Sequence, residues 1–297
     1  MCCCFGKLKR LSRAGKLSTI VYILGEVCVL AFLKVRMIFM RDMETRPDNI
    51  ESCAEMPAAS LVPEELPREA NEQLEQLHEF ADQYEDRGQY RQTAKLAYRV
   101  VKRTFNIVFS LCVIVILFIP GLLLCLAIAL DTKGSPIYVH ERVGYHGRRI
   151  GVLKFRSMVS DADDLEKYLS PAQIEEFNRE HKLDDDPRVT RLGHFLRKSS
   201  IDEFPQFLNV LIGQMNVVGP RPVTAEELVW FGKDVDELLS CHPGITGLWQ
   251  TLERNDATYQ TGVRQEMELT YVRKRCLKMD FDILAKTFGV MVRKTGK

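Results

Sequence analysis

The sequence predicts a mostly α-helical protein with minor β structure, built from a re-entrant membrane helix hairpin and a compact helical domain. Three observations predict this fold class. The segment from Ile107 to Leu130 carries no charged residue, and about 20 apolar residues are enough to cross a bilayer. Pro120 and Gly121 interrupt that segment near its middle. After Asp131 the composition becomes that of a soluble domain, with short helical patterns separated by loops that contain Gly and Pro.

Residues 1–94 form the first of three predicted regions, and we assign no role to them. Residues 17–40 are apolar but interrupted by charges, which favours an amphipathic or membrane-surface helix over a spanning one. Residues 42–70 contain four prolines among acidic residues, as a linker would. Apolar residues then recur at helical spacing in a charged background, which predicts a packing or self-association helix. These residues are Leu74, Leu77, Phe80 and Tyr84.

Residues 95–135 form the predicted membrane element. Proline removes an amide donor and its ring clashes with the preceding turn, so Pro120 is expected to kink or break the helix. Because cationic flanks stay on the cytoplasmic face, basic residues on both sides favour a segment that enters and leaves on the same face. A kinked spanning helix is the alternative. The basic flanks comprise Lys95, Arg99, Lys102, Arg103, Lys133, Arg142, Arg148 and Arg149.

Residues 136–297 form the third region, a compact and mostly helical domain predicted to rest on the hairpin. The 41 Lys and Arg against 40 Asp and Glu leave a net charge of +1, so no bulk charge draws the chain to nucleic acid. The nine cysteines and six histidines lack the paired spacing of a zinc site. No phosphate-binding glycine loop or dinucleotide fingerprint is present, which disfavours a kinase, an ATPase or a dinucleotide enzyme.

The segment from Ser199 to Gln206 carries the sharpest polar pattern in this domain. It leads into a predicted helix that Gly213 helps to end, whose apolar face comprises Phe204, Phe207, Leu208, Leu211 and Met215. Asp202 and Glu203 therefore lie in or beside the first turn, where free amides and the helix dipole favour anions. That placement would keep Asp202 ionised, as a nucleophilic carboxylate requires, and would also receive a phosphate.

The same two acids have a structural explanation. Ser200-x-x-Glu203 is a capping box, and acids in a first turn are ordinary helix stabilisers. On spacing alone we prefer this explanation, but basic residues in the same domain change the balance: Lys154, Arg156, Arg188, Arg191, Arg197 and Arg221. Arginine offers a planar fork that matches phosphate oxygens, and a diphosphate needs several such partners. Arg221 lies between two prolines, whose fixed φ angles hold it in one direction.

Taken together, the ordered segments of the chain resemble the bacterial sugar transferases, also called monotopic phosphoglycosyl transferases. The resemblance covers about residues 95–290. Besides the proline-broken apolar segment, it includes Lys102-Arg103-x-Phe105, Gly134-Ser135-Pro136, Glu141-Arg142-Val143-Gly144, Lys154-Phe155-Arg156-Ser157-Met158, Asp186-Pro187-Arg188-Val189-Thr190, Leu196-Arg197-Lys198, Asp202-Glu203-x-Pro205-Gln206, Asn209-Val210-Leu211, Val218-Gly219-Pro220-Arg221-Pro222 and Pro243-Gly244-Ile245-Thr246-Gly247.

The resemblance implies a two-step transfer at the cytoplasmic face of a bacterial inner membrane. In this family the aspartate attacks the β-phosphate of a UDP-sugar and releases UMP, and polyprenyl (undecaprenyl) phosphate then displaces the aspartate. The product, a polyprenyl-diphosphate-sugar, begins glycoconjugate, exopolysaccharide or O-antigen synthesis. The implied partners are therefore the UDP-sugar, the polyprenyl phosphate and the lipid bilayer. A homo-oligomer is also compatible with the sequence.

Carried over by motif, Asp202 would be the nucleophile and Glu203 the ligand of a Mg²⁺ cofactor. Arg197 and Arg221 match positions that serve phosphate binding or the integrity of the site. Lys154, Arg156 and Gln206 complete the expected substrate- and phosphate-binding set. Magnesium suits this chemistry because it takes one or two carboxylates together with phosphate oxygens, and it offsets the repulsion between an anionic nucleophile and a diphosphate.

The sequence departs from the family pattern at Asn106, Ile119, Gln214, Asn216 and Glu268. Asn106 replaces an aspartate, so a family ion pair is expected to be lost there. These changes bear on the identity of the substrate more than on the type of reaction. A non-catalytic membrane scaffold of a polysaccharide assembly complex is the alternative function, in which the Asp-Glu pair only caps a helix.

Overall fold

A computed structural model of the chain describes residues 66–84, 92–180, 183, 185–252 and 259–293. The predicted helix in residues 17–40 and most of the predicted linker lie outside these residues. The predicted fold class, mostly helical with minor β structure, is confirmed. The described helices are α1 (Arg68–Asp82), α2 (Gln92–Thr132), α3 (Leu165–Tyr168), α4 (Pro171–Glu180), α5 (Arg191–Ser199), α6 (Gln206–Ile212), α7 (Val235–Leu239), α8 (Leu248–Leu252), α9 (Val263–Lys274) and α10 (Leu277–Arg293).

The described strands form two small sheets. Strands β1 (Ile137–Val143) and β2 (Arg149–Phe155) pair antiparallel, and β3 (Asn216–Val218) and β4 (Gly244–Thr246) pair parallel. The β3–β4 sheet requires close backbone approach, since a Cβ atom added at Gly244 would lie 2.1 Å from the backbone nitrogen of Gly219. Three 3-10 turns complete the described secondary structure: Tyr145–Gly147, Ile201–Glu203 and Glu227–Asp234.

Helix α1 packs against the end of the chain. Its predicted apolar stripe is confirmed, with Leu77 fully buried in the main hydrophobic cluster together with residues of α9 and α10. Tyr84, just after α1, donates a 2.6 Å hydrogen bond to Asp282 in α10. Lys274 at the end of α9 donates to the carbonyl of Ala81 at 3.1 Å. The segment before the membrane helix is therefore part of the same packed core as the segment after it.

Helix α2 is 41 residues long, and helical structure continues through Pro120. Residues 96–132 form the one helix among the described residues that is long and apolar enough to cross a membrane. Its central part exposes large apolar side chains, with Ile116 73% exposed and Phe118 57% exposed. A surface of this kind needs lipid or protein to cover it, so membrane association is supported. The re-entrant path remains a prediction.

Both ends of α2 pack against the folded domain. Near its start, Arg103 donates to the carbonyls of Val210 and Leu211 at 2.6 and 2.8 Å, which satisfies acceptors at the end of α6. Near its end, Cys125 and Ile128 are buried in a cluster with residues of β1, β2 and α5. The exposed apolar stretch therefore lies between two anchored ends.

The β1–β2 hairpin and α6 are held together by Asn209, which is fully buried. Its Oδ1 accepts a 3.0 Å hydrogen bond from the amide of Leu153, and its Nδ2 donates to the carbonyl of Gly151 at 2.8 Å. These bonds satisfy main-chain groups on β2 that face α6. They bring Lys154, the next residue of β2, beside the turn that precedes α6.

Candidate active site

Asp202 and Glu203 lie in the 3-10 turn Ile201–Glu203, between α5 and α6. Residue Ser200 takes a left-handed conformation (φ 56°) that ends α5, and α6 starts only at Gln206. The carboxylates therefore stand beside the first turn of α6, in a separate turn. The side chain of Ser200 makes no capping hydrogen bond to this turn, so the capping-box explanation is not supported. Gly213, in a left-handed conformation, ends α6 as predicted.

Asp202 is buried, with 8% of its surface exposed. Desolvation raises its pKa from 3.8 to about 6 and Glu203 adds to this rise, while the positive charges of Lys154 and Arg197 oppose it. The helix dipole therefore does not hold the pKa of Asp202 below its ordinary value, because α6 begins only at Gln206 and burial removes water from the carboxylate. At neutral pH the carboxylate is still the main form.

Glu203 forms an ion pair with Lys154, whose Nζ lies 3.1 Å from its Oε1. Both side chains are about a quarter exposed, so the pair stands at the mouth of the site. Lys154 also has the largest lowering effect of any charge on the pKa of Asp202. One lysine thus offsets the negative charge of both neighbouring acids.

Arg197 lies in the last turn of α5, and its charge also lowers the pKa of Asp202. Its Nε donates a 2.9 Å hydrogen bond to the hydroxyl of Ser157. Burial lowers its pKa, and the charges of Asp202 and Asp186 oppose this effect. The guanidinium is thus oriented by a neutral hydroxyl, which leaves its charge to act on Asp202.

The contacts of Arg156 and the burial of Gln206 suit a structural role better than direct contact with the carboxylates. The Nε atom of Arg156 donates to the carbonyl of Ser135 at 2.8 Å, and its guanidinium lies 5.8 Å from the ring centroid of Tyr138. Arg156 therefore fastens the segment that follows α2 to the end of β2. Gln206 is buried at the start of α6.

Arg221 belongs to a neighbouring cluster of charges. Its backbone amide donates to Glu268 at 3.1 Å, and its guanidinium lies 5.3 Å from the ring centroid of Trp249. The same cluster holds Arg142, bonded to Glu227 at 2.8 Å. The sequence groups Arg221 with Lys154 and Arg197, whereas the structure also places it close to Glu227 and Glu268. Burial raises the pKa of Glu268 to about 7, so these acids offset only part of the positive charge. That neighbourhood comprises Arg142, Arg221, Glu227, Arg264 and Glu268.

His140 lies between the two groups. Burial, together with the charges of Arg142, Lys154 and Arg221, lowers its pKa to about 4, and Glu227 partly opposes this effect. It is therefore neutral at pH 7. The register of the hairpin puts Tyr138 opposite Lys154 and His140 opposite Val152, so β1 and β2 carry one polar row from Glu203 toward Arg142. This row was not identified from the sequence, because the hairpin register that pairs β1 with β2 and the contact between Lys154 and Glu203 are set by the fold.

The carboxylates fit a magnesium ion that is shared with a substrate. Among the described residues no group of three or more His, Cys, Asp and Glu side chains could hold a metal. Mg²⁺ usually takes one or two carboxylates together with waters and phosphate oxygens. Asp202 and the partly exposed Glu203 supply that number of carboxylates, with Lys154 as a competing cation on Glu203.

Two of the departures from the family pattern pair with each other. The Nδ2 atom of Asn106 donates to Oδ1 of Asn216 at 2.7 Å, and the amide of Val217 donates to Oδ1 of Asn106 at 3.1 Å. The contact that joins α2 to β3 is therefore neutral. Gln214 likewise accepts a 2.6 Å hydrogen bond from Asn209. At these three departures, uncharged amide side chains therefore form hydrogen bonds that join α2 to β3 and α6 to the segment before β3.

Sequence comparisons with known proteins match the region that contains these residues. A sequence model described as "Bacterial sugar transferase" matches residues 97–294. The UDP-galactose-lipid carrier transferase of Erwinia amylovora is 45% identical over 206 residues, which are 68% of this chain and 43% of that protein. The undecaprenyl-phosphate galactose phosphotransferase of Salmonella typhimurium is 42% identical over 207 residues, 68% of this chain and 43% of that protein.

A shorter relative covers the same region almost end to end. The exopolysaccharide production protein ExoY of Rhizobium meliloti is 40% identical over 201 residues, which are 66% of this chain and 88% of that protein. The chain spans less than half the length of the two longer relatives, and the match is confined to the region that holds α2 and the folded domain. The predicted resemblance is confirmed, and the chain belongs to the bacterial sugar transferase family.

Proposed function

We propose that this protein transfers a sugar phosphate from a UDP-sugar to polyprenyl (undecaprenyl) phosphate, with Asp202 as the covalent nucleophile. The observation that carries the proposal is a buried carboxylate whose pKa is raised by burial and lowered in part by the charges of two nearby cations. Asp202 forms no ion pair among the described residues, although Lys154 and Arg197 are close enough to affect its pKa. Relatives whose names describe this kind of transfer support the assignment.

In the first step, a carboxylate oxygen of Asp202 attacks the β-phosphorus of the donor. The new bond joins that oxygen to phosphorus, and the bond from phosphorus to the bridging oxygen breaks, so that UMP leaves with the electron pair. Lys154 and Arg197 would reduce the repulsion between the carboxylate and the diphosphate. A magnesium ion held by Glu203 and phosphate oxygens would supply further charge neutralisation when bound.

In the second step, a phosphate oxygen of the polyprenyl phosphate attacks the phosphorus of the adduct. Asp202 leaves as a carboxylate and is ready for another donor. A pKa of about 6 makes Asp202 a better nucleophile than an ordinary aspartate while it stays ionised at pH 7. Exclusion of water around Asp202 would protect the adduct from hydrolysis.

The packing of the chain supports a re-entrant membrane path. Helix α1 precedes α2, yet it packs on α9 and α10, which follow α2. A spanning helix would separate the two segments by a hydrocarbon layer of about 30 Å. We therefore propose that both ends of α2 lie on one face, at the cytoplasmic side of the bacterial inner membrane.

Release of UMP from a UDP-sugar by the purified protein tests the proposed reaction. Wild-type protein should release UMP and form a phosphosugar adduct on Asp202, detectable by mass spectrometry of the peptide that contains it. Asp202→Asn should lose both signals. A non-catalytic scaffold would release no UMP with any UDP-sugar. Release of UMP by the Asp202→Asn variant would show that Asp202 is not the nucleophile.

A further inference from the structure

A cavity of about 820 Å³ lies at the start of α2, away from the carboxylate pair. Arg103 lines it and binds the carbonyls of Val210 and Leu211 at the end of α6. Asp202 precedes the start of α6, which is seven residues and about 10 Å long. The cavity and the proposed nucleophile are therefore at opposite ends of this helix.

The cavity is lined by cations alone among charged side chains. Its lining includes six Lys and Arg residues and no Asp or Glu, although the whole chain has a net charge of only +1. The six are Arg99, Lys102, Arg103, Arg273, Arg275 and Lys278. This local excess of positive charge suits an anionic ligand.

Several of these charges have no acidic partner. Lys102 is paired with Asp280, and Arg273 with Glu237. Arg103 and Arg275 instead donate to backbone carbonyls, and neither forms an ion pair among the described residues. Arg99 is exposed and also lacks an ion pair within the part of the chain that the structure describes.

The surroundings of His242 show the same local excess of positive charge. Its ring lines the cavity and stacks on Tyr145, with ring centroids 4.2 Å apart. Burial lowers its pKa to about 4 together with nearby basic groups, of which Arg103 has the largest effect, followed by His146, Lys102 and Arg148. The first turn of α10 also lines the cavity, and the positive end of its dipole favours an anion.

The cavity stands where α2 would enter a bilayer. Arg103 is four residues, or about 6 Å, before Ile107, where the uncharged run begins. Leu96 and Val100 near the cavity are 60% and 56% exposed, so apolar surface borders the cationic lining. This combination matches a lipid, whose phosphate lies at the level of the cations and whose chains cover the apolar surface.

We propose that this cavity binds the phosphate of an anionic phospholipid headgroup at the membrane surface. This inference rests on one part of the proposed function, namely that α2 enters a bilayer. Free phosphate shares the recognised chemistry, but it would leave the exposed apolar side chains beside the cavity uncovered. The occupant would hold the start of α2 at the headgroup layer while the carboxylate pair stays free for the donor.

The test uses the full chain in an uncharged detergent and fluorescent phosphatidylglycerol as the probe. We expect saturable binding with one site per chain. Arg275→Gln should weaken it about five-fold, and Arg99→Gln with Arg275→Gln about thirty-fold, since each cation near a charged headgroup contributes a similar factor. Fluorescent phosphatidylcholine should show no saturable binding. The measurement needs no nucleotide sugar, so its result is independent of the transferase assignment.

A matched control removes two exposed cations elsewhere, by Arg191→Gln with Lys233→Gln, and should leave phosphatidylglycerol binding unchanged. Circular dichroism would show that each variant keeps its helical content. Equal weakening by the control pair would mean general attraction to anionic surfaces and would overturn the proposal. Saturable binding of inorganic phosphate, lost in the Arg99 and Arg275 variants and not displaced by phosphatidylglycerol, would overturn the lipid assignment.

Discussion

A buried carboxylate with no direct ion pair is costly to a folded protein. Asp202 is 8% exposed, and its pKa is raised to about 6 chiefly by desolvation. A group of this kind lowers stability in its charged form, and Glu203 beside it adds repulsion. Features that oppose stability are often found at functional sites. This physical argument favours a chemical role for Asp202 over a structural one.

Asp202→Asn should therefore stabilise the protein at pH 7 while it abolishes UMP release. A rise in pKa from 3.8 to about 6 corresponds to a cost on the order of 3 kcal/mol for the ionised form. Because the folded state holds its proton more tightly, this cost grows as pH rises from about 4 to about 6. Thermal unfolding in detergent at pH 7 and at pH 4.5 measures it, and the advantage of Asn should shrink at the lower pH.

Glu203→Gln is the matched control in the same turn. Glu203 is partly exposed and paired with Lys154, so its neutralisation should bring no comparable gain in stability. A destabilised Asp202→Asn protein at pH 7 would show that the carboxylate is structural.

Lys154 should set the pH dependence of the first step. It has the largest lowering effect of any charge on the pKa of Asp202, so Lys154→Gln should raise this pKa. UMP release by wild-type protein should rise to a plateau above about pH 6, and the variant should reach its plateau at higher pH. Initial rates between pH 5 and 8.5 measure the midpoint.

Lys154→Arg keeps the positive charge and should keep the midpoint close to that of the wild type. An unchanged midpoint in Lys154→Gln would indicate that Asp202 is not the group whose ionisation limits the reaction.

Helix α2 is tied to α10 by a buried ion pair. The Nζ atom of Lys102 lies 2.9 Å from a carboxylate oxygen of Asp280, and both side chains are almost fully buried. The hydroxyl of Tyr271 in α9 donates to the same carboxylate at 2.6 Å. Three helices thus meet at one polar centre, which fixes where the membrane helix leaves the folded domain.

Removal of one partner should be strongly destabilising. Lys102→Met leaves Asp280 buried with its charge unpaired, at an expected cost of about 3–5 kcal/mol. Chemical unfolding in detergent micelles measures the change. Arg68→Gln is the control, since the Arg68–Glu72 pair is largely exposed and should contribute less than about 1 kcal/mol. A cost for Lys102→Met no greater than that of the control would contradict the assignment of a buried anchor.

Contact between α1 and α10 bears on the path of the whole chain through the membrane. If both ends of α2 lie on one face, an impermeant lysine reagent should label Lys95 and Lys133 from the same side of sealed inverted vesicles. Mass spectrometry of the two peptides gives the extent of labelling. Lys95→Arg and Lys133→Arg confirm the assignment of each peptide. Labelling of the two residues from opposite sides would show that α2 spans the membrane and would contradict the re-entrant hairpin.

The apolar pattern along the chain was sufficient to predict the membrane helix, α1 and the mostly helical class. Hydrophobic periodicity is a local property, so Leu77 and Phe80 could be placed on one face without knowledge of their partners. The Asp202–Glu203 pair could be found for the same reason, because its motif lies within one short segment. Lys154 and Arg197 could be named as candidate phosphate-binding residues because they are basic residues of the same domain, but their distance from Asp202 could not be obtained from the sequence.

Long-range packing decided the properties that depend on burial. The pKa of Asp202 depends on the water that the surrounding elements exclude, and the 3-10 turn that holds it ends before the dipole of α6 begins. The Lys154–Glu203 pair, the Lys102–Asp280 anchor and the cationic cavity join residues that are far apart in the chain. Desolvation and charge proximity are properties of three-dimensional distance, which residue spacing alone does not encode.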